Sequence, residues 1–338
     1  MGKIHKVGII GCGDFLRLEC NNINNSKNIC VKSIFDTDNM RAEKYAKILG
    51  GNVVNTDDYI FDDSEIDIVC IFVPPWARRN LVIKAAKFKK HILTTKPLGL
   101  NIIDCLAMVK KVVGEKVKCG VIYGRTGNAL IETYKEIFNS GEIGKLSLYK
   151  QDWIHHYPVW NKWATDSKKN GGPFMDAMIH NLNVARYLMG TKAISCTYFS
   201  DNHSHNLECN DTEFMKLDFE GNAAAYLFIT WAADLAVYSK KENKREHIDM
   251  SYMITDKGWY LSKNTEKNKM MIVASKEGKI KKWEVKKLQN NFYDKFVKCI
   301  EKNTSLPSDI IDISEAYEDI KILKDAEKKQ GQKISVRE

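Results

Sequence analysis

The chain has 338 residues, 44% of them hydrophobic and 28% charged, with a formal net charge of +9, enough apolar material for two domains of ordinary size. That balance excludes a disordered or fibrous chain, and since no apolar run approaches the roughly 20 residues of a spanning helix, neither a membrane anchor nor a secretory signal is expected. The positive excess is lysine scattered over apparent short helical stretches and near the C-terminus, such as Lys279, Lys281, Lys282, Lys286 and Lys287; with no recognised motif beside it, nucleic acid is not an expected partner, whereas an anionic small ligand is compatible.

Along the first third, short β-branched runs at 6–11, 31–36, 66–73 and 91–95 read as buried parallel strands. Stretches with helical spacing at 40–49, 80–88 and 104–113 separate them, and 117–123 reads as one more strand. This alternation predicts a doubly wound parallel sheet over residues 1–123, with a second domain over 124–338. In the latter, alternating runs at 145–152, 195–198, 213–219, 223–231 and 247–254 predict an open, mostly antiparallel sheet. Helices are expected at 176–189, closed by Gly190, and at 311–328, the latter packing back near the first domain. The fold class is therefore α/β followed by α+β. Nine cysteines, odd in number and without a Cys-x-x-Cys pair, point away from a disulfide scaffold and toward a reducing cytoplasm.

Gly8, Gly11 and Gly13 follow the first strand, where a dinucleotide fold needs a tight turn and a close backbone approach to pyrophosphate. The phosphates would rest on the N-terminus of the next helix, beside Asp14, Phe15 and Leu16. Asp36 ends the second strand, where a carboxylate accepts hydrogen bonds from the adenine-ribose hydroxyls and repels a 2′-phosphate; Thr37 offers no charge to bind one. NAD is expected, with NADP less favoured and Arg41 moderating the preference. Pro74 is expected to line the same cofactor site.

Lys96, followed by Pro97, stands at the C-terminal end of a predicted parallel strand, the edge at which such sheets bind ligands. Asp176 and His180 are four apart on a predicted helix, so one face presents both to a common ligand. Read alone, each of these fits a structural role as well.

Taken in order, the glycine turn, Asp36, Lys96-Pro97, Gly171-Gly172 with Asp176 and His180, Asp211-Thr212 and Asp256-Lys257-Gly258 make the chain resemble the Gfo/Idh/MocA family of sugar and cyclitol oxidoreductases. The resemblance implies a Rossmann NAD-binding domain, then an α+β domain for substrate binding and assembly into a homodimer or homotetramer. It implies Lys96, Asp176 and His180 as the catalytic set, with Lys96 also touching the cofactor. Hydride transfer from a secondary alcohol requires removal of the hydroxyl proton and an electropositive group beside the developing alkoxide. His180 is expected as base, Lys96 as donor and stabiliser, and Asp176 as the group that orients substrate. The chain departs from the family pattern at Leu16 for the third glycine, Arg78 for His, Thr95 for Glu and Asn183 for Asp; Arg78 would add a permanent cation near the cleft.

Residues 153–163 are dense in aromatics and polar ring groups, which suit a small-molecule carbohydrate with apolar C–H faces and many hydroxyls. His156, Trp160, Trp163, Arg125 and Tyr123 are the expected substrate contacts, together with Asp176 and His180. His203, His205 and Cys209 have no fourth ligand at a usual spacing, so a polar surface loop and no metal are expected. Three activities remain open: an NAD-dependent dehydrogenase, a redox-assisted glycoside-cleaving enzyme that uses NAD transiently, and a non-catalytic NAD-binding protein.

Overall fold

Each short apolar run of the first third is followed by enough chain to cross over and cover one face of a sheet, which is what parallel pairing requires. In the computed structural model, which describes residues 3–158, 163–236, 246–288 and 291–336, six strands form the parallel part of this sheet: β1 (His5–Ile10), β2 (Ile29–Phe35), β3 (Asn52–Val53), β4 (Ile66–Ile71), β5 (His91–Thr95) and β6 (Cys119–Ile122). They alternate with α1 (Asp14–Asn24), α2 (Asn39–Leu49), α3 (Asp58–Asp62), α4 (Pro75–Lys87) and α5 (Ile102–Glu115). Their order is β6-β5-β4-β1-β2-β3, parallel throughout. The order reverses between β1 and β4, and a ligand of such a sheet binds outside the carboxyl ends of those strands. Val7 and Ile9 of β1, Ile34, Ile68 and Leu93 pack with Leu16 and Ile23 of α1 in a fully buried core. Helix α4 begins at Pro75 rather than at the expected residue 80, since proline is preorganised for a first turn that does not use its N–H.

The second unit opens with α6 (Ala129–Ser140) and β7 (Leu146–Ile154). A single π-helical turn (Phe174–Met178) then runs into α7 (Ile179–Met189), which ends at Gly190 in the left-handed region. Strands β8 (Ala193–Asp201), β9 (Thr212–Phe219), β10 (Ala223–Thr230), β11 (Ile248–Thr255), β12 (Tyr260–Glu266), β13 (Lys269–Lys276) and β14 (Lys279–Glu284) follow. The sheet runs β14-β13-β12-β11-β7-β10-β9-β8, antiparallel at every step except β7–β10. Alternation decides its faces: Glu213, Met215, Leu217 and Phe219 of β9 and Ala223, Ala225, Leu227 and Ile229 of β10 point inward, with α7 lying against β7 and β10. Lys279, Lys281 and Lys282, read from sequence as helical, lie on the edge strand β14, where lysine blunts further strand pairing.

The chain then returns to the first sheet. Helix α8 (Phe292–Glu301) adds Phe292, Tyr293, Phe296 and Val297 to the first core, and β15 (Ile311–Asp312) pairs antiparallel with β6. Helix α9 (Ile313–Glu327) starts two residues inside the expected span, and β16 (Ile334–Ser335) pairs antiparallel with β8. Contacts accordingly divide the chain into two compact units, Met1–Gly127 with Leu288–Ile320, and Asn128–Lys287 with Lys321–Glu338. Among the described residues no helix is long and apolar enough to cross a membrane.

Candidate active site

The glycine turn divides its labour. Gly11 has φ +96, and a Cβ there would lie 2.6 Å from the Phe72 carbonyl oxygen, so both backbone conformation and close approach demand glycine. Gly13 precedes α1 with no side-chain cap, and a Cβ there would meet no atom within 4 Å. That open space before uncapped N–H groups fits a pyrophosphate. Asp36 accepts a 2.6 Å hydrogen bond from the Cys12 N–H and a 2.8 Å bond from the Asp38 N–H, which holds it beside the turn. Arg41 is engaged by Asp38 at 3.1 Å. Phe15 packs edge-on against Phe72 at 5.0 Å, while Asp14 is exposed and 3.5 Å from Arg17. Leu16, expected to touch the cofactor, is instead wholly buried in the core, so its side chain anchors the helix and offers no surface to a ligand.

Half-buried Lys96 directly follows β5, its backbone N–H donating to the Ile122 carbonyl at 3.2 Å, and the Lys96–Pro97 bond is cis. Arg78 is not a cation presented to solvent. It is 1% exposed; one guanidinium nitrogen donates to the carbonyls of Pro97 and Leu98, and the other donates to the Val73 carbonyl at 2.7 Å. It thus ties the segment after Lys96 to the start of α4, where half-buried Pro74 precedes the first turn. Burial lowers its pKa to about 10, leaving it charged at neutral pH. Tyr123 and Arg125, expected substrate contacts, are both buried, and Arg125 pairs with Glu315 at 2.9 Å. Thr95 is buried on β5.

In the second unit, every residue from Gly172 to Ala185 is buried except Asp176 and His180. Single π-turns occur often at functional sites, and Asp176 sits within this one. Its geometry is held by a residue that sequence reasoning missed. Buried Glu213 of β9 accepts hydrogen bonds from the Phe174 N–H and, at 2.8 Å, from the Tyr198 hydroxyl. Gly172, at φ +95, leaves room for it, since a Cβ there would lie 2.8 Å from a Glu213 oxygen. Burial raises the Glu213 carboxyl to about 8 against those two hydrogen bonds. The available signal was a carboxylate at an inward position of an alternating strand.

His155 is buried, with Nδ1 2.8 Å from the His156 carbonyl; burial lowers its pKa, opposed by that hydrogen bond and by the charge of Asp176. The ring of His156 lies 4.0 Å from that of Tyr157 and 4.9 Å from that of His205. His205 is therefore part of an aromatic cluster and Cys209 is buried, while His203 alone fits the expected exposed loop. Trp163 is half-buried in a turn, and Trp160 lies outside the described residues.

A doubly wound sheet with an open glycine turn and an acid fixed beside it defines a dinucleotide-binding protein. A family model described as "Oxidoreductase family, NAD-binding Rossmann fold" matches residues 5–123, and the GFO/IDH/MocA C-terminal domain matches residues 131–242. The chain belongs to the Gfo/Idh/MocA family of oxidoreductases. It is 32% identical over 165 residues to scyllo-inositol 2-dehydrogenase (NAD(+)) of Bacillus subtilis, covering 46% of this chain and 45% of that protein. It is 26% identical over 228 residues to 2,7-anhydro-N-acetylneuraminate hydratase of Escherichia coli, covering 65% and 60% respectively. The chain spans about half the length of the curated relatives it first matches. In fold it is similar to aldose-aldose oxidoreductase from Caulobacter crescentus, crystallised with glycerol, at a TM-score of 0.83 and 17% identity over 98% of this chain and 100% of that one.

Proposed function

We propose that the protein is an NAD-dependent dehydrogenase that oxidises a secondary alcohol of a sugar, sugar derivative or cyclitol. The observation that carries this reading is the Asp176–His180 pair, the two partly exposed side chains of an otherwise buried helical segment, in a chain with a dinucleotide turn. Oxidised nicotinamide supplies the hydride acceptor. His180 takes the hydroxyl proton, Lys96 steadies the oxygen as charge develops, and Asp176 orients the substrate hydroxyls. Gly11, Gly13, Asp14, Phe15, Asp36 and Pro74 hold the cofactor. His156, Trp160 and Trp163 supply ring surface for the carbohydrate. Asp36 favours NAD over NADP, and the engagement of Arg41 by Asp38 supports that preference.

Assembly is proposed through the outer face of the antiparallel sheet, which exposes Phe199, Met250, Tyr252 and Tyr260. Nine unpaired cysteines support a reducing, cytoplasmic setting. A second reading, redox-assisted glycoside cleavage, is favoured by buried His155 under the influence of Asp176, an extra acid or base near the pair, and by the relative named a hydratase.

Incubating the protein with NAD and a panel of free sugars, uronates, inositols and aryl glycosides, while following NADH and glycoside together, separates the two. NADH growth supports the dehydrogenase; glycoside loss without it supports cleavage. Lys96→Met is expected to abolish turnover in either case, and unchanged turnover would remove the catalytic assignment.

A further inference from the structure

We propose that His156, His205 and Asp234 form a binding site for a transition-metal ion of the zinc class in the second unit. The Nε2 atoms of His156 and His205 lie 3.3 and 3.8 Å from the same Asp234 oxygen, and one ligand atom from each residue lies within 4.8 Å of the others. A tetrahedral zinc with Zn–N bonds of about 2.0–2.1 Å keeps its ligand atoms roughly 3.3 Å apart, so the two distances to Asp234 need little change, while the separation of the two imidazoles, within 4.8 Å, has to close by up to about 1.5 Å.

The imidazoles are turned for ligation. Nδ1 of His156 is 3.0 Å from the Tyr157 carbonyl, to which it can only donate; Nε2, the nitrogen that faces Asp234, is thus the one available to an ion. A backbone carbonyl holding the far nitrogen of a histidine is the usual way a ligating ring is oriented. Nε2 of His205 is buried and has no hydrogen-bond partner among the described residues, an arrangement that costs free energy unless something accepts its lone pair or proton. At 3.8 Å, Asp234 is too distant to do so by a hydrogen bond.

The backbone beneath the three side chains is fixed as well. Buried Asp211 accepts the N–H groups of His203, Ser204 and His205 at 3.0, 2.8 and 3.1 Å. The His156 N–H donates to the Leu235 carbonyl at 2.9 Å, and His156 bridges to Ala232, which seats Asp234 beside it. The Trp231 N–H donates to the Asp211 carbonyl at 2.7 Å, joining the segment that carries Asp234 to the one that carries His205. Two imidazoles and one carboxylate suit zinc, cobalt or nickel better than calcium or magnesium, which prefer an all-oxygen shell. Three protein ligands leave at least one position for water or an oxygen ligand.

The test uses the untagged full-length chain, stripped with a chelator and titrated with Zn²⁺ by calorimetry and with Co²⁺ by visible absorption. One ion per chain and an intense Co²⁺ d–d band of four- or five-coordinate type are expected. Asp234→Asn, at a side chain 85% exposed and so tolerated by the fold, and His205→Gln should each weaken Zn²⁺ binding more than tenfold and remove the band. His203→Gln should change neither. Absence of a stoichiometric ion, or binding that survives both ligand substitutions in chains with wild-type circular dichroism, overturns the site.

Discussion

The carboxylate of Asp36 accepts a 2.6 Å hydrogen bond from the backbone N–H of Cys12, linking the end of β2 to the glycine turn that follows β1. The group expected to read the ribose is thereby held in place before any ligand arrives. Asp36→Ala removes a charge-assisted acceptor for the ribose hydroxyls and the repulsion of a 2′-phosphate. NAD affinity should fall by about 1.5–3 kcal/mol, roughly 10- to 150-fold, while NADP affinity falls less or rises. Titration of both dinucleotides by calorimetry checks this, and an unchanged preference would count against the ribose assignment.

Gly11 and Gly13 should fail in different ways. Gly11→Ala forces a left-handed backbone and a clash with Phe72, so a stability loss of about 1–3 kcal/mol is expected from backbone strain, with the clash adding to it. At Gly13 an added methyl meets only open space; stability should stay within about 0.5 kcal/mol while cofactor affinity drops. Denaturant unfolding and dinucleotide titration on the two variants separate the effects.

Arg78 is the internal brace of the turn after Lys96. Arg78→Met leaves the carbonyls of Val73, Pro97 and Leu98 without their shared donor, and a loss of about 2–4 kcal/mol is expected. Arg78→Lys should recover only part of it, because one ammonium cannot reach both sides of the turn as a planar guanidinium does. A melting curve for each variant measures the difference.

Glu213 sets a pH dependence on folding. Its carboxyl is raised to about 8 in the folded chain from an ordinary value of 4.5, chiefly by burial, with nearby Glu327 raising it further and Lys324 opposing. The folded state therefore holds a proton that the unfolded state has released, and between those values stability falls as pH rises. The slope is at most about 1.4 kcal/mol per pH unit. Glu213→Gln should flatten this part of the stability profile from pH 5 to 8; an identical slope in wild type and variant would exclude Glu213 as its source.

Local pattern was sufficient for the architecture. Periods of two and of helical spacing mark which residues leave water, so β1, β2, β4 to β6, β7 to β11 and α7 were legible in outline, while the two-residue β3 was too short to leave a pattern; the glycines with Asp36 marked the nucleotide end because strand, turn and acid are close in sequence. The edge hairpin of β13 and β14 was not legible, since its lysine-rich strands lack a strong apolar alternation. Nor was the return of α8 and β15 to the first core, the latter a pairing of Ile311 with Val121 across 190 positions that no local signal encodes.

The sequence by itself determined the family resemblance, the alternation of strands and helices and the residues expected to meet a cofactor, because these follow from short-range spacing. Tertiary structure alone decided that Arg78 braces the Lys96–Pro97 turn from within, that Leu16 belongs to the core, that Glu213 holds the π-turn, and that His156, His205 and Asp234 converge. Each depends on side chains from distant segments being brought together, which is settled only when the chain has closed on itself.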